Sequence, residues 1–313
     1  MLVKEGVNIL VKRLISANTS DILNFSSEEL KQSIKASEGR TVLSENVVVH
    51  TPALVQDITN AEMATAFGAD MILLNALDVN EPVIKGLYHE AYKGTGNSVQ
   101  DLKKLIGRPI GVNLEPVDDK ANMAEVKLDI SAGRKATKET FIRAEKLGFD
   151  FVCLTGNPAT GVTNNHILEA IKVGKSHFNG LIIAGKMHGS GVDEPVVNLE
   201  AITNFVEAGA DIILVPAVGT VWGVSEEEVR EAVQVAHNHG ALVMSAIGTS
   251  QEGSDEATIR EMAIKNKTLG VDIQHIGDAG YGGLAPVENI YALSKAIRGQ
   301  RHTVSRIARS INR

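Results

Sequence analysis

Three stretches of the chain hold chemically capable side chains at close spacing. In IIAGKMHGSG (182–191), Lys186 ends an apolar run and His188 follows two residues later. A lysine so placed is partly desolvated, which lowers its pKa and suits it to imine formation or proton transfer. Binding a substrate anion or pairing with a carboxylate are its other uses. His188 reads as an acid or base near neutral pH, or as an ordinary loop histidine. In GVNLEPVDD (111–119), Asn113 and Glu115 share one side of a strand. Glu115 suits a general base or a ligand for a hard cation, with Asp118 and Asp119 as helpers or as solvated loop. IGTSQEGS (247–254) and HIGDAGYGG (275–283) supply small residues rich in backbone donors: Gly248, Thr249, Ser250, Gly280, Gly282 and Gly283. Such turns either wrap a phosphate with N–H groups or simply turn the chain. Asp278 offers a carboxylate in the second of them.

Several chemistries lack their signatures. No Asp-x-Asp-x-Thr/Val box supplies a phosphatase nucleophile, although FVCLTGN and HIGDAG mimic later motifs of haloacid-dehalogenase-type enzymes. No serine sits in Gly-x-Ser-x-Gly, and no His-Glu-x-x-His or cysteine cluster suggests zinc. Mg²⁺ stays open, because its carboxylate sites have no rigid spacing.

The elements that position these residues follow from a repeat. FGADMILLN (67–75), LGFDFVCLTG (147–156), AGADIILVPA (208–217) and LGVDIQHIGD (269–278) each run Gly, one residue, Asp, then apolar residues. The glycine suits the left-handed position that ends a helix. The unbroken apolar run suits a parallel strand buried on both faces. GRPIGVNLE, GLIIAGK and GALVMSAIG add three strands and NVVVH (46–50) a first. Helices alternate with them: Asn198 opens one, Ser225 and Glu228 form a capping box, and Ser254 opens another. Eight strand–helix units predict a (β/α)8 TIM barrel over 41–300, with a doubly wound sheet as competitor. Residues 1–40 predict a helical extension that plugs the barrel bottom or packs on a neighbour. Residues 301–313 predict a basic C-terminal helix.

The strand-to-helix loops are the long ones, so the chemistry belongs at the C-terminal ends of the strands. That places His50, Asp57, Asn75, Asp78, Asn113, Glu115, Thr155, Asn157, Lys186, His188, Ser245, Thr249 and Asp278 at the working face. Asn75, Asn113, Asp57, Asn157 and His275 are the candidate substrate contacts, His275 being equally a core histidine. Loops seven and eight are the expected phosphate grip. Cys153, inside FVCL, reads as core, and the Gly-x-Asp aspartates fall on the opposite face, where they support stability.

Composition narrows the setting. A single cysteine excludes an internal disulfide framework and fits a reducing cytoplasm. No apolar run approaches the roughly 18 residues of a membrane span, and a net charge of -7 argues against general nucleic-acid binding. From Lys295 to Arg313 the chain has six Lys/Arg and no Asp/Glu. That reads as a solvated basic helix or as a contact to an acidic surface of a second subunit, and a homo-oligomer is expected.

HTPALVQDITNAEMATAFGAD, IGRPIGVNLEPVD, CLTGNPATGVTN, IIAGKMHGSGVDEPVV, VMSAIGTSQEG, HIGDAGYGG and SKAIRGQRHTVSRIARSINR together span most of the chain. In them it resembles an uncharacterised bacterial TIM-barrel family often labelled "haloacid dehalogenase-like hydrolase". The resemblance implies a single barrel domain and transfers no catalytic residue. More distantly, the glycine-led strands are similar to the ribulose-phosphate-binding barrels, which implies phosphorylated ligands by analogy of fold.

The leading expectation is an enzyme on a small phosphorylated metabolite, such as a sugar phosphate, using lyase or isomerase chemistry with Lys186, Glu115 and His188 as catalysts. A metal-assisted phosphohydrolase, with Asp57, Glu115, His188 and Asp278 as ligands, is the enzyme alternative. A non-catalytic phosphometabolite sensor is the alternative of another class.

Overall fold

The computed structural model describes residues 10–90 and 92–313. Eight parallel strands close in sequence order: β1 Thr41–Val47, β2 Met71–Asn75, β3 Ile110–Leu114, β4 Phe151–Leu154, β5 Leu181–Gly185, β6 Ile212–Pro216, β7 Leu242–Ile247 and β8 Ile273–Ile276. Closure comes from β1 pairing with β8, Leu43 opposite His275. The fold is therefore a (β/α)8 barrel, and the doubly wound alternative falls. Two helices, α1 Thr19–Ile22 and α2 Ser27–Lys35, precede it. Eight more follow the strands in turn: α3 Asn60–Ala66, α4 Ser98–Ile106, α5 Lys138–Leu147, α6 Asn164–His177, α7 Leu199–Glu207, α8 Glu226–Asn238, α9 Glu256–Thr268 and α10 Val287–Ala308. Among the described residues no helix is long and apolar enough to cross a membrane.

Two boundaries differ from the sequence reading. The first strand is TVLSENV, not NVVVH; Ser44, Glu45 and Asn46 interrupt its apolar pattern, so the run after it looked more strand-like. The cap of α9 is Asp255, whose carboxylate accepts the Thr258 N–H at 2.9 Å, one residue beyond Ser254. Asn198 and the Ser225–Glu228 box cap α7 and α8 as expected.

The repeated Gly-x-Asp has a structural use at the N-terminal end of the strands. Gly68, Gly148, Gly209 and Gly270 all have positive φ, between 83° and 112°, which a side chain would oppose. The aspartate two residues on reaches the start of the preceding strand. Asp70 accepts the Val42 N–H at 2.9 Å, Asp150 that of Ile110 at 2.8 Å, Asp211 that of Ile182 at 3.0 Å and Asp272 that of Val243 at 2.8 Å. Each carboxylate thus ties an even strand to its odd neighbour and also meets a basic side chain. Lys103 serves Asp150, Lys31 and Lys175 serve Asp211, and His237 serves Asp272.

Asp70 takes two arginines from the C-terminal helix: Arg298 Nη1 at 2.5 Å and Arg306 Nε at 3.1 Å. Both guanidinium groups are buried, and burial pushes Arg306 down to about 9. Two charges of the basic tail are thus internal, one on each side of a break at Gly299 (φ 70°) inside α10, while Lys295 and Arg301 stay exposed. The bottom is sealed from the other end of the chain as well. Leu14, Ala17, Ile22, Leu30 and Ile34 join the interior cluster of Leu43, Met71, Phe151, Leu181 and Leu242. Residues 1–9 of the expected extension lie outside the described residues. Cys153 is buried in the same cluster.

Candidate active site

Side chains alternate inward and outward along each strand, and the inward layer turns polar toward the C-terminal ends. Leu43 gives way to Glu45 on β1, Leu73 to Asn75 on β2, Gly111 to Asn113 on β3, and Cys153 to Thr155 after β4. These polar residues line a cavity of about 960 Å³ at the mouth. Near its floor Glu45 and His275 face each other, His275 Nε2 lying 2.9 Å from Glu45 Oε2. His275 is fully buried and Glu45 is 3% exposed. Burial pushes the Glu45 carboxyl above its usual range, although the histidine opposes that shift. Sequence reasoning missed Glu45 because the first strand was placed five residues late. The alternation Leu43, Glu45, Val47 was the signal that could have found it.

A belt of amides crosses the mouth. Asn75 Nδ2 donates to Asn157 Oδ1 and to Asp278 Oδ2, each at 2.9 Å, and Asn157 Nδ2 returns a bond to Asn75 Oδ1 at 3.0 Å. Asn157 also donates its backbone N–H to Glu115 Oε2 at 2.8 Å and its side-chain Nδ2–H to Oε1 at 2.9 Å. Arg134 Nη2 closes the chain on Glu115 Oε1 at 2.6 Å. Asn113, with its amide turned to satisfy its surroundings, donates to the carbonyls of Cys153 and Thr155. Asn75, Asn113 and Asn157 are thus brought together as expected. Glu115 differs from expectation: its carboxylate is 1% exposed and holds three donors, so it positions Arg134 and Asn157 instead of standing ready as a base.

His188 lines the cavity and accepts the Ser190 N–H on Nδ1 at 3.0 Å. Burial pushes its pKa down, so at neutral pH the ring is uncharged, with its proton on Nε2 as a donor.

Lys186 is not in the cavity. It continues the outward parity of Ile182 and Ala184, is 1% exposed, and gives its ammonium to Glu194 at 2.7 Å. Glu194 in turn accepts the N–H of Asn164 at the start of α6. Among the described residues that line the cavity there is no lysine. Borohydride reduction in the presence of carbonyl compounds is therefore expected to leave Lys186 unmodified. A trapped adduct on Lys186, found by peptide mass spectrometry, would overturn this placement.

In the two glycine loops, the glycine N–H groups expected to grip a phosphate have acceptors within the chain. Gly248 N–H donates to Thr220 Oγ1 at 3.0 Å and Gly280 N–H to Asp278 Oδ1 at 2.9 Å. Gly282 and Gly283 donate to the carbonyls of Ala279 and Gly280. Thr249 sends its hydroxyl back to the Thr220 carbonyl at 2.6 Å, and Ser250 beside it is exposed. These turns are held by internal acceptors, and Glu252 and Asp278 add like charge beside any phosphate. The metal set expected from Asp57, Glu115, His188 and Asp278 is not assembled. Asp57 lies exposed in the β1–α3 loop, and no group of three or more His, Cys, Asp or Glu among the described residues is placed to hold an ion.

Backbone strain marks the same face. Ala76, Ala159, Ser190, Thr249, Ser250 and Ala279 have positive φ without being glycine, and all six lie in loops after strands. Such conformations persist where the surroundings force them, most often at functional sites.

Glu252 is 4% exposed, and its Oε1 accepts the Ala279 N–H at 3.0 Å. Burial raises its pKa and the Asp278 carboxylate adds to that. A raised folded pKa binds the proton more tightly in the native state. Its contribution to stability is full below the ordinary 4.5 and is lost as pH rises through the folded value. Glu252→Gln should therefore gain stability over the parent progressively above pH 4.5. Thermal melts across pH check this, and a difference that is flat or shrinks with pH would refute it.

Comparison with known proteins places these features in context. A search of curated proteins finds no match. Among solved structures, the chain is similar to an archaeal fructose-1,6-bisphosphate aldolase with the catalytic Lys covalently bound to the carbinolamine intermediate of the substrate. That pair has TM-score 0.51 and 15% identity, over 84% of this chain and 96% of that one. It is also similar to 2,3-dimethylmalate lyase, a PEP mutase/isocitrate lyase superfamily member, with TM-score 0.50 and 12% identity over 82% and 83%. At such identities these likenesses establish the barrel fold alone. The haloacid-dehalogenase-like label has no counterpart among these matches. A family model covers residues 15–313, and the chain belongs to that family, described as Domain of unknown function (DUF7916).

Proposed function

We propose that the protein is an enzyme that moves protons on a small polar metabolite, by lyase or isomerase chemistry at the barrel mouth. The observation that carries this reading is Glu45: a buried carboxyl raised in pKa, backed by His275 at 2.9 Å, at the floor of a cavity large enough for a metabolite. Raised carboxyls are suited to general acid–base work near neutral pH.

Carboxylates from β1, the β7–α9 loop and the β8–α10 loop line the cavity, as does Glu125, while Arg134 and His188 offer donors from the loops after β3 and β5. In the step this supports, Glu45 takes a proton from carbon beside a carbonyl. The electron pair moves to the carbonyl oxygen, where Arg134 and His188 Nε2–H stabilise the negative charge. Where the deprotonated carbon bears a hydroxyl, its O–H proton passes to the enolate oxygen, and return of the carbon proton at the former carbonyl carbon gives the isomer. Where the next carbon bears a leaving group, that group departs with its bonding pair as the carbonyl re-forms, giving a lyase product. Asn75 and Asn157 orient hydroxyl groups.

The shared scaffold with a lyase and an aldolase agrees with this class. The covalent lysine intermediate named for that aldolase is not carried over, because Lys186 is paired with Glu194.

The test is proton exchange in D₂O. The protein is incubated with mixed small metabolites bearing carbonyl, hydroxyl and carboxyl groups, and carbon-bound proton signals are followed by NMR. Enzyme-dependent loss of a signal beside a carbonyl supports the reading. A complete absence of exchange and of new products rejects it.

A further inference from the structure

Three carboxyl groups gather on the acidic side of the mouth. Glu45 and Glu252 line it together with Asp278, and all three are close enough to influence one another electrostatically. Of the described basic groups nearby, Arg134 is paired with Glu115, Lys186 with Glu194 and His275 with Glu45. Asp278 spends one oxygen on Asn75 and the other on the Gly280 N–H. Glu252 is different. Its Oε1 accepts the Ala279 N–H, but Oε2 is buried without a hydrogen-bond partner. A buried carboxylate oxygen left unsatisfied is costly, and this one belongs to a residue on the cavity wall, just beneath Gly277.

We infer that the substrate carries a primary ammonium group, received by Glu252 with Asp278 and Glu45 around it. The inference rests on the proton-transfer reading of the same cavity and names its substrate class: a small amine-bearing metabolite, such as an amino acid or amino sugar. An ammonium has three donors and one positive charge. It would satisfy the orphaned oxygen and offset the carboxylates at once. A metal ion fits less well, since these side chains are not gathered into a ligand set. The opposite wall, with Arg134 and the His188 donor, remains for an anionic or carbonyl oxygen of the same molecule.

Matched pairs test this on the full chain: serine against glycerate, alanine against lactate, glucosamine against glucose. Binding is read by thermal shift and by calorimetry. The amine member of at least one pair is expected to bind about tenfold tighter than its hydroxyl partner or more. Glu252→Gln, which keeps an acceptor for Ala279, should abolish that preference. Equal binding within every pair, no binding by any amine, or a preference that survives Glu252→Gln would overturn the inference. So would stabilisation by Mg²⁺ or Zn²⁺ alone that displaces the amines. The two readings fail separately. Proton exchange confined to hydroxyl compounds removes the ammonium and leaves the proton-transfer enzyme, whereas amine binding with no exchange on any compound does the reverse.

Discussion

Replacing Glu45 with glutamine should abolish proton exchange at the barrel mouth while leaving the protein folded. Glutamine keeps the shape of the side chain and can still hydrogen-bond His275 Nε2, but it neither takes nor gives a proton. Loss of a positioned acid or base reduces rates by about 10²–10⁴-fold. A fall of that size is expected in the exchange rate, with ligand affinity altered far less. The variant should also melt no lower than the parent near neutral pH, because burial disfavours the ionised carboxyl it removes. The opposite pattern, unchanged exchange with weakened binding, would make Glu45 a substrate contact and return the proton-transfer role to another group of the cavity.

The largest effect on stability belongs to Asp70. Its carboxylate binds the start of β1 and two arginines of α10, all out of water, with Arg108 buried nearby. Asp70→Asn leaves Val42 an acceptor but strips the negative charge, so Arg298 and Arg306 stay buried without compensation. Breaking a buried ion pair from one side costs about 3–5 kcal/mol. Asp150 has the equivalent position in the second repeat, but its side chain is 27% exposed and, among the described residues, it pairs with Lys103 alone. Asp150→Asn should therefore cost clearly less. Urea unfolding of the two variants decides the matter, and equal losses would show that the arginine cluster is not what holds the tail to the barrel.

Much of the architecture was legible in the sequence because it is written in local patterns. The Gly-x-Asp repeat marks helix end and strand start in consecutive residues, and the apolar runs after it need no partner to be recognised. The working face followed from loop lengths, so Asn75, Asn113, Asn157, His188 and Asp278 were all placed correctly at the mouth. What failed were statements about where a side chain points. Lys186 lies next to Met187, which lines the cavity, yet faces away from it; that is a matter of strand parity at a glycine with φ 151°. Glu45 was hidden because polar residues inside a barrel mouth break the apolar signature of the strand that carries them.

The sequence by itself determined the eightfold winding, the end of the barrel that works, and the helix starts set by Asn198, Ser225 and Glu228. Hydrophobic periodicity and capping act over a few residues, so they can be read along the chain. Only the tertiary structure decided that Glu45 meets His275 across 230 positions, that Glu115 is spent on Arg134 and Asn157, and that the basic tail turns inward to Asp70. Ionisation, pairing and exposure depend on which distant groups share the same small volume, and chain closure alone brings those groups together.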